Sequence, residues 1–570
     1  MDIVECFRGV HFGQTALHHS VFVPCRELYN TIRTRVPENK PCPFSKRWWN
    51  NDLSRQKIAM KKLSRLAYKF RALPDHASHT ELHKARNMYG EAIVKAKRGH
   101  WEEFLENAAE QDLWTANKYF KEPTGDGGKS RIPTLKVPRE GKDGPIMEIN
   151  TNEGKAKILV QKFFPEKPEC SRVPENYNYP EPLPSPPPIT PEQIEHQIRR
   201  LSPYKVSSPD EIPNMVLQKC LEHLLEYLLH LFRGVFALRT YYAGWQEFTT
   251  AVLRKPDKPS YEVPKAYCPI ALLCTIPKVL TAIVVESVSH LVEKNALLPG
   301  THFGGQPGCT TMDAIHYLVG KVKSAWGKKK VTLVLFLDVK GAFPNAVTDR
   351  LIHNLRKWQI PTAYMKFVEW LLKGRKTKLK FDDFISDFIN IMNRIGQGNP
   401  LSMLLYVLYN VDLLEALRRL DEDAIGYMDD ALVIATAKML KGMTQALKNF
   451  MERRNGGFDW AQDHNSNFEI SKVAIMHCQP RARKPSDHPN PVLQLRGRVI
   501  KEVESYKYLG VHIDSQLRWR IQENGVIAKV TAYILMFRRL TCTKLGIRPR
   551  LMWLLYVLVV IPKMTYTLDV

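Results

Sequence analysis

The clearest pattern along the chain is a nearly continuous apolar run that predicts a buried strand. Val331 to Leu337 is rich in β-branched residues, has the length of a strand, and stops on Asp338. Runs of this kind lie at the centre of a sheet whose two faces are both covered. The sequence therefore predicts a buried strand with a carboxylate at its exit.

A second pattern sets two adjacent acids between two apolar arms. The segment from Ala424 to Ala435 carries Tyr427-Met428-Asp429-Asp430 near its middle. Apolar, partly β-branched arms around such a centre predict a β-hairpin with the acids at its turn. Taken alone, the segment is also compatible with a solvated acidic turn.

The helical spacing of apolar residues and the proline-rich breaks divide the rest of the chain into predicted segments. Ser45 to about Phe120 is rich in Lys, Arg, Ala, Leu and Glu, which predicts a basic helical arm. One face of this arm carries Leu63, Leu66, Ala67 and Phe70. Trp101 and Phe104 could stack on nucleic-acid bases, but aromatic residues at helical spacing are more often core. A proline-dense stretch from Pro168 to Pro191 predicts a semi-rigid spacer. Further predicted elements are a strand over 248–256, a helix over 277–292, helices capped by Thr190 and Asn399, and a hairpin over 506–513.

Composition and charge indicate a polyanion as the partner. The chain has 570 residues, enough for several domains, and a formal net charge of +25 spread along its length. A nucleic acid is the first candidate for such a surface, with solubility as the simpler alternative. The 10 cysteines include no Cys-x-x-Cys pair, which favours reduced, intracellular thiols over a zinc knuckle or a disulfide framework.

The sequence also gives expectations about export and membranes. Asp2, Glu5 and Arg8 lie where a signal peptide would be apolar. The most apolar run, Leu551 to Ile561, is shorter than the ~20 residues that a membrane-spanning helix needs, and it predicts a buried helix instead. We therefore expect an intracellular protein without a membrane partner.

Three carboxylates are the candidate catalytic and metal-binding residues. Asp338, Asp429 and Asp430 converge if the predicted strand and hairpin are neighbours in one sheet. Adjacent carboxylates repel unless a cation lies between them, and hard oxygen ligands favour Mg²⁺ or Mn²⁺. Two such ions about 4 Å apart would activate a primer 3′-hydroxyl and neutralise a departing pyrophosphate. The carboxylates alone would also suit a nuclease or a phosphatase.

Other residues favour polymerisation. Phe343 is bulky enough to collide with a ribose 2′-hydroxyl and so to select deoxynucleotides, although a single aromatic residue is more often core. The loop Gly396-Gln397-Gly398 allows its backbone close to a base or sugar, whose edge Gln397 can hydrogen-bond. Lys255 is a candidate triphosphate ligand and Lys472 a candidate proton donor to pyrophosphate, with solvated lysines as the alternative.

These segments resemble reverse transcriptases of non-LTR (LINE-type) retrotransposons. The resemblance runs from about Ser45 to the end of the chain and is most specific between Leu201 and Val511. The motifs that carry it are Leu335-Phe336-Leu337-Asp338-Val339-Lys340-Gly341-Ala342-Phe343 (first catalytic motif), Gly396-Gln397-Gly398-Asn399-Pro400-Leu401-Ser402 (template and nucleotide helix), Tyr427 to Asp430 (paired aspartates), Lys472 (later lysine) and Tyr508-Leu509-Gly510 (primer grip).

The resemblance implies an α+β, right-hand polymerase of fingers, palm and thumb that copies element RNA into DNA at a nicked chromosomal target. Its partners would be an RNA template, a DNA primer or target, and deoxynucleoside triphosphates, and it would act in the nucleus after synthesis in the cytoplasm. The implied divisions are an unassigned segment (1–43), a basic helical arm (44–135), a Pro-rich linker (136–192), fingers (193–330), a palm (331–500), and a primer-grip hairpin with a partial thumb (501–570).

Several positions depart from the family pattern. Cys268, Gln306 and Cys309 stand where arginine is usual, Val206 to Glu211 replaces Ala-Pro-Gly-Pro-Asp-Gly, and Asn399 stands where Asp or Ser is common. Each change is one C-to-T or G-to-A step away, so our hypothesis is a decaying copy whose gene has undergone cytosine deamination. Because a thiol cannot replace the bidentate contacts of a guanidinium, we expect weak or absent activity.

We also expect a fragment, and three rival interpretations stay open. The 43 leading residues are too few for the family's endonuclease, and no cysteine-rich knuckle or RNase H follows the partial thumb. The rivals are an RNA-dependent RNA polymerase, which Phe343 disfavours, a group II intron maturase, and a nucleic-acid-binding protein with an inactive site.

Overall fold

The computed structural model describes most of the chain. It covers residues 48–107, 131–138, 146–166, 173–203, 205, 210–255, 258–392, 395–416, 422–438, 440–480, 491–541, 549–566 and 568, with residues 30, 31 and 34. Most of segment 1–43 and Val206 to Pro209 lie outside the described residues. The chain divides into a larger unit (1–36, 129–518 and 570) and a smaller unit (37–128 and 519–569).

The helices, in chain order, are α1 (Asn51–Lys69), α2 (Ala77–Asn107), α3 (Asn152–Phe163), α4 (Pro191–Arg199), α5 (Asn214–Lys219), α6 (Leu221–Ala237), α7 (Thr275–Lys294), α8 (Thr311–Gly327), α9 (Ala342–Asn345), α10 (Thr348–Lys357), α11 (Thr362–Leu372), α12 (Ser402–Asn410), α13 (Asp412–Glu415), α14 (Leu440–Glu452), α15 (Gly457–Asp463), α16 (Arg520–Thr541), α17 (Pro549–Leu555) and α18 (Ile561–Thr565). A π-helical turn, Tyr556–Val560, joins the last two.

The strands are β1 (Leu135–Pro138), β2 (Ile146–Ile149), β3 (Glu247–Arg254), β4 (Tyr267–Leu272), β5 (Val331–Lys340), β6 (Lys376–Phe381), β7 (Phe384–Ile385), β8 (Ile389–Asn390), β9 (Glu422–Tyr427), β10 (Asp430–Ala437), β11 (Asn467–Phe468), β12 (Ala474–Cys478), β13 (Gln494–Leu495), β14 (Arg498–Val499), β15 (Lys501–Glu502), β16 (Ser505–Tyr508) and β17 (Val511–Asp514).

The larger unit contains a central sheet in the order β15-β12-β5-β10-β9, with β11 also paired to β5. β5 lies in the middle, antiparallel to β10 and β12. Val331 to Leu337 are buried, as expected for a strand covered on both faces. The predicted buried strand is confirmed, but it continues to Lys340, so Asp338 lies within the strand and not at its exit.

A second sheet in the larger unit has the order β4-β3-β6-β7, with β8 paired to β6. β3, which confirms the strand predicted over 248–256, is antiparallel to β4 and parallel to β6. β6 begins at Lys376, beyond the fingers-palm boundary proposed at residue 331. The structure therefore unites residues from both sides of that boundary in one sheet.

The segment 136–192 differs from the Pro-rich linker that the sequence analysis assigned. β2 and α3 lie within it, and β1 overlaps its start. Three apolar residues of α3, Ala156, Leu159 and Phe163, are buried in a cluster that includes residues of β4 and β6. In the described part of this segment, helix and strand are absent from 173–190, where the frequent prolines have no backbone N–H to donate to a helix or a sheet.

α7 confirms the long apolar helix predicted over 277–292. Among the described residues, α7 is the one helix that is long and apolar enough, by length and composition alone, to cross a membrane. Its most apolar stretch of 18 residues has a mean hydropathy of 1.3. It is also a core helix, since 56% of that window is buried and Val279, Leu280 and Ile283 belong to the main hydrophobic cluster.

Of the two residues predicted to cap a helix at its N-terminus, one does so and the other does not. Thr190 caps α4, because its hydroxyl accepts a hydrogen bond from the Gln193 N–H and the Gln193 side chain accepts one from the Thr190 N–H. The prediction for Asn399 is wrong, since α12 begins at Ser402 and Leu401 is its cap. The Asn399 side chain instead accepts from the Leu401 N–H at 2.8 Å, which forms a turn before the helix.

The smaller unit combines α1 and α2 with α16 to α18. Ala67 of α1 is buried, whereas Leu66 is 42% exposed, so the apolar face is narrower than the sequence predicted. Trp101 and Phe104 of α2 pack on a core from the C-terminal helices, which confirms the expectation that they are core residues. That core consists of Tyr533, Phe537, Leu551, Leu555, Val559 and Val560.

Candidate active site

The central sheet brings the predicted acids to neighbouring strands. Asp430 on β10 is the register partner of Asp338 on β5. Directly opposed residues of an antiparallel pair have Cβ atoms about 5 Å apart on one face of the sheet. β9 and β10 form the predicted hairpin, and Asp429 lies in its turn, adjacent to Asp430. The three candidate carboxylates therefore share one region of the sheet.

The acidic turn contacts two distant segments of the larger unit. Met428 adopts a left-handed backbone conformation with φ of 57°, which is uncommon for a residue with a side chain. Its carbonyl accepts a hydrogen bond from Asn410 Nδ2 at 2.9 Å. A Cβ added at Gly304 would lie 2.4 Å from the Met428 nitrogen, so this turn and Gly304 are in close backbone contact. Asn410 and Gly304 were not among the predicted site residues, because no local pattern signals a contact between remote segments.

Like charges dominate the electrostatics of the site. Partial burial and the charges of Asp429 and Asp338 raise the pKa of Asp430 to about 6. Burial and Asp338 also raise the pKa of Asp429. By accessible surface area both side chains are nonetheless exposed, so desolvation acts on only part of each carboxylate. Lys472 Nζ lies 2.8 Å from Asp338 Oδ2, and its positive charge opposes both shifts.

The donor set suits a hard divalent cation. Asp338, Asp429 and Asp430 offer oxygen donors only, and the raised pKa values of two of them mean that a nearby cation would stabilise their ionised forms. Across the part of the chain that the structure describes, no group of three or more His, Cys, Asp or Glu side chains is arranged around a common metal position. The residues fit such an ion by chemistry, and Lys472 supplies the positive charge beside Asp338.

Phe343 is linked to the acidic turn through a second ring. It follows β5, is half-buried, and stacks on Tyr406 with ring centroids 4.8 Å apart. Tyr406 is fully buried, and its pKa is raised well above the usual value by burial, with the charge of Asp429 as a second cause. Phe343 is thus a packed residue five positions after Asp338, a placement compatible with both interpretations of it.

The glycine loop lies against the edge of the second sheet. The Ala271 N–H on β4 donates to the Gln397 carbonyl at 2.8 Å. Gly398 has φ of 112°, and a Cβ there would lie 2.5 Å from the Ala271 carbonyl oxygen, so the close approach requires glycine. The Ser402 hydroxyl donates to the Gly396 carbonyl. These contacts fix the loop between β4 and the start of α12.

The second predicted hairpin, β16 with β17, packs beside β5. Leu509 and Gly510 form its turn with φ of 46° and 89°, which is the geometry of a type I′ turn. Tyr506 stacks on Phe336 with ring centroids 4.0 Å apart, and Tyr508 lies 6.1 Å from the same ring. Phe336 precedes the first candidate acid by two residues on β5, so the hairpin flanks the acidic region. It belongs to the larger unit and not with the C-terminal helices, unlike the proposed division 501–570.

A group of lysines that includes Lys340 of β5 lies beside the strand that carries Asp338. Lys255 follows β3 and is exposed. Burial and the charges of Lys265, Lys340 and Lys255 lower the pKa of Lys162, so these four ammonium groups share one region. Lys340 lies two residues after Asp338 and therefore on the same face of β5. Lys162 was not predicted, because it lies on α3, within the segment expected to be a Pro-rich linker.

Two cysteines occupy positions where the resemblance calls for arginine. Cys268 on β4 is half-buried, is the register partner of Leu253, and directs its thiol to the Leu253 carbonyl at 3.6 Å. Cys309 is also half-buried, and its N–H donates to the Gln306 carbonyl at 3.3 Å. Neither side chain offers the positive charge that a phosphate requires.

Comparisons with known proteins cover the same region. A family model described as "Reverse transcriptase (RNA-dependent DNA polymerase)" matches residues 253–513. The chain is 25% identical over 479 residues to "Probable RNA-directed DNA polymerase from transposon X-element" of Drosophila melanogaster, covering 80% of this chain and 50% of that protein. It is 24% identical over 477 residues to "RNA-directed DNA polymerase from mobile element jockey" of the same species, covering 81% and 50%.

The chain spans about half the length of these curated relatives. A solved structure of apo telomerase from Candida tropicalis, truncated from its C-terminal domain, matches with a TM-score of 0.34 and 11% identity. That match covers 48% of this chain and 54% of the telomerase chain, and a score at this level does not define a fold.

Proposed function

We propose that this chain is an RNA-directed DNA polymerase. The premise is that residues 253–513 form a reverse transcriptase domain similar to those of non-LTR retrotransposons. A reverse transcriptase domain implies the right-hand polymerase architecture, and the larger unit combines helices and sheets as that architecture requires. The observation that carries the proposal is the register pairing of Asp430 with Asp338 beside the turn residue Asp429.

In this proposal the three carboxylates hold divalent cations, Mg²⁺ or Mn²⁺, through their oxygens. Bound ions of this kind lower the pKa of a primer 3′-hydroxyl and offset the charge of the triphosphate. Lys472 pairs with Asp338 at 2.8 Å, and we assign to it the donation of a proton to the departing pyrophosphate. Lys255 binds the triphosphate together with the neighbouring lysines, among which Lys162 is the contribution of α3.

The remaining candidate residues bind and orient the substrates. The Phe343 ring, supported by Tyr406, acts as a steric wall against a 2′-hydroxyl and so favours deoxynucleotides. The glycine loop 396–398 brings its backbone close to the template or nucleotide. The turn of Tyr508-Leu509-Gly510 holds the primer end, since its hairpin packs beside the strand that carries Asp338. The exposed lysines and arginines of α1 bind nucleic acid as part of a basic arm.

Primer extension on poly(rA)/oligo(dT) with Mg²⁺ or Mn²⁺ tests the proposal. We expect incorporation of dTTP, loss of incorporation in Asp429→Ala, and retention of template binding in that variant, because the substitution removes a metal ligand and not the basic surface. The same assay with UTP separates the rivals. Incorporation of UTP at the rate of dTTP would contradict the role of Phe343 and favour an RNA polymerase.

A second candidate function is nucleic-acid binding without catalysis. The half-buried thiols of Cys268 and Cys309 favour it, because neither can form the bidentate phosphate contacts of the arginines usual in the family. This candidate predicts binding with a steep salt dependence and no extension with either metal ion.

A further inference from the structure

The second sheet, β4-β3-β6-β7, has one covered face and one open face. Side chains alternate along each strand, so every second residue belongs to the same face. The covered face carries Phe248, Leu379 and Phe381, which are buried in the hydrophobic clusters. On the opposite face Leu253 of β3 is 45% exposed and Ile385 of β7 is 55% exposed. This second surface is the open face.

Three lysines follow one another along the open face of β6. Lys376, Lys378 and Lys380 alternate with the buried residues Thr377 and Leu379. Their spacing of two residues corresponds to about 6.6 Å between successive Cα atoms. Lys376 and Lys380 are exposed, and Lys378 is half-buried. These three residues are called the lysine row.

The lysine row carries little compensating negative charge. Lys376 Nζ lies 3.9 Å from the Glu247 carboxylate, a long and exposed pair that contributes little. No carboxylate pairs with Lys378 or Lys380 among the residues that the structure describes. Lys378 Nζ instead lies 4.5 Å from the centroid of the Phe388 ring. An evenly spaced row with so little opposing charge attracts a polyanion that is extended along the strand.

Apolar surface lies directly beside the lysine row. Phe388 is 47% exposed, and Leu253 and Ile385 lie on the same face. Partially exposed rings and aliphatic side chains next to lysines are the combination that binds single-stranded nucleic acids, whose phosphates meet the cations while unpaired bases contact the apolar groups. A duplex keeps its bases stacked inside and would leave these apolar groups uncovered.

The open face extends toward the proposed active site. β4 is the edge strand of the sheet, and its Ala271 N–H donates to the carbonyl of Gln397 in the glycine loop. β6 is two strands away from β4, which is about 10 Å across the sheet. A strand of nucleic acid that lies on β6 is therefore a short distance from the loop assigned to the template and nucleotide.

We propose that the open face of the second sheet, through the lysine row and Phe388, binds the single-stranded part of the template that has not yet been copied. The identity of this strand as the template rests on the proposed function, whereas the binding of single-stranded RNA does not. The family match supplies no role for Lys376, Lys378 or Lys380, which are assigned here from their register, exposure and charge.

Fluorescence anisotropy on the full chain tests the inference with two probes. One is a primer–template duplex with a long single-stranded RNA 5′ overhang, and the other is the same duplex with blunt ends. The triple variant Lys376→Gln/Lys378→Gln/Lys380→Gln is expected to bind the overhang probe about tenfold more weakly at moderate salt and to reduce its salt slope by about 2, since three phosphate contacts are lost. Binding of the blunt duplex should change little.

Two control variants distinguish a loss of binding caused by the lysine row from a loss caused by lower net charge or by misfolding. Lys219→Gln/Lys294→Gln/Lys328→Gln removes the same charge from exposed positions at helix ends and should bind both probes as the wild type does. Lys376→Arg/Lys378→Arg/Lys380→Arg keeps the charge and should retain overhang binding. Equal losses for both probes, an equal loss in the Lys219 set, or unchanged overhang binding in the glutamine variant of the row would overturn the inference.

Primer extension distinguishes this inference from the proposed function. If the wild type binds the overhang through the lysine row but never extends a primer, the polymerase proposal fails and the binding surface stands. If the wild type extends primers and the glutamine variant of the row extends long-overhang templates as well as the wild type, the polymerase proposal stands and the template surface fails.

Discussion

Among the individual residues, Asp430 responds most directly to pH, because its pKa of about 6 is close to neutral. An unperturbed Asp has a pKa of about 3.9, so between about pH 4 and pH 6 the folded chain keeps a proton that the unfolded chain has lost. That proton stabilises the folded state at low pH, and the contribution is lost as the pH rises through about 6. A divalent cation reverses this effect, because it favours the ionised form.

The first prediction concerns the affinity for Mg²⁺. Since a proton and a cation compete for Asp430, the Mg²⁺ concentration for half-saturation should rise by up to about tenfold per pH unit below about 6 and level off above it. Thermal-shift titrations with Mg²⁺ from pH 5 to pH 8 measure this dependence. The Asp430→Asn variant should lose the inflection near pH 6. An inflection that stays near pH 4 in the wild type would contradict the raised pKa.

The two half-buried cysteines give a second prediction at the residue scale. Cys268→Arg with Cys309→Arg should raise primer extension by about tenfold, because each guanidinium adds charge-assisted contacts to phosphate. Cys268 lies on the open face of the second sheet opposite the exposed Leu253, so an arginine fits there without entering a core. Steady-state incorporation with poly(rA)/oligo(dT) measures the gain.

The matching control separates geometry from charge. Cys268→Lys with Cys309→Lys adds the same charge without the planar, bidentate group and should recover less of the activity. No gain from the arginine pair would mean that the two positions do not contact substrate.

At the scale of elements, strands and hairpins with a strong local pattern could be predicted from the sequence, whereas pairings between remote strands could not. β5 and the β9–β10 hairpin were predictable because a long apolar run and two apolar arms identify buried strands without further information. β6 was not predicted, although its lysines alternate with Thr377, Leu379 and Phe381 as in a half-buried strand, because a run this short needs its remote partner β3 to be recognised. The Thr250 and Thr377 hydroxyls, which meet at 2.8 Å across these strands, are separated by 127 positions.

The acidic turn depends on such a remote contact, which gives the third prediction. Gly304→Ala would set a Cβ 2.4 Å from the Met428 backbone nitrogen, so the turn carrying Asp429 has to move. A shift of about 1 Å is enough to reduce turnover by about 100-fold. Primer extension should fall by that order while template binding is retained.

Gly300→Ala is the control for this substitution. It adds the same methyl group in the same segment, but no atom lies within 4 Å of the new Cβ. Extension should therefore match the wild type. A similar loss of extension in both variants would indicate that the segment tolerates no substitution. The effect could then not be attributed to the contact between Gly304 and Met428.

At the scale of the whole molecule, the grouping of segments that was predicted from the sequence is wrong for the two ends of the chain. The basic arm and the C-terminal helices were treated as separate regions at opposite ends of the chain, whereas both lie in the smaller unit. No local pattern encodes this, since α2 and α17 each show only an apolar face that needs some partner. The shared core, in which Trp101 and Phe104 pack with Leu555 and Val560, supplies that partner.

The shared core makes the stability of the two ends interdependent, which is the last prediction. Leu555 is 1% exposed, so Leu555→Asp places an unpaired charge among apolar side chains. The resulting loss of stability should reduce hydrogen-exchange protection in α2 as well as in α16 and α17, because these helices form one cooperative unit. Trp553→Asp changes a residue of the same helix that is 64% exposed, and it should leave all three helices protected. β5 belongs to the larger unit and should keep its protection in both variants. If α2 remains fully protected in Leu555→Asp while α17 loses protection, the basic arm is stable without the C-terminal helices.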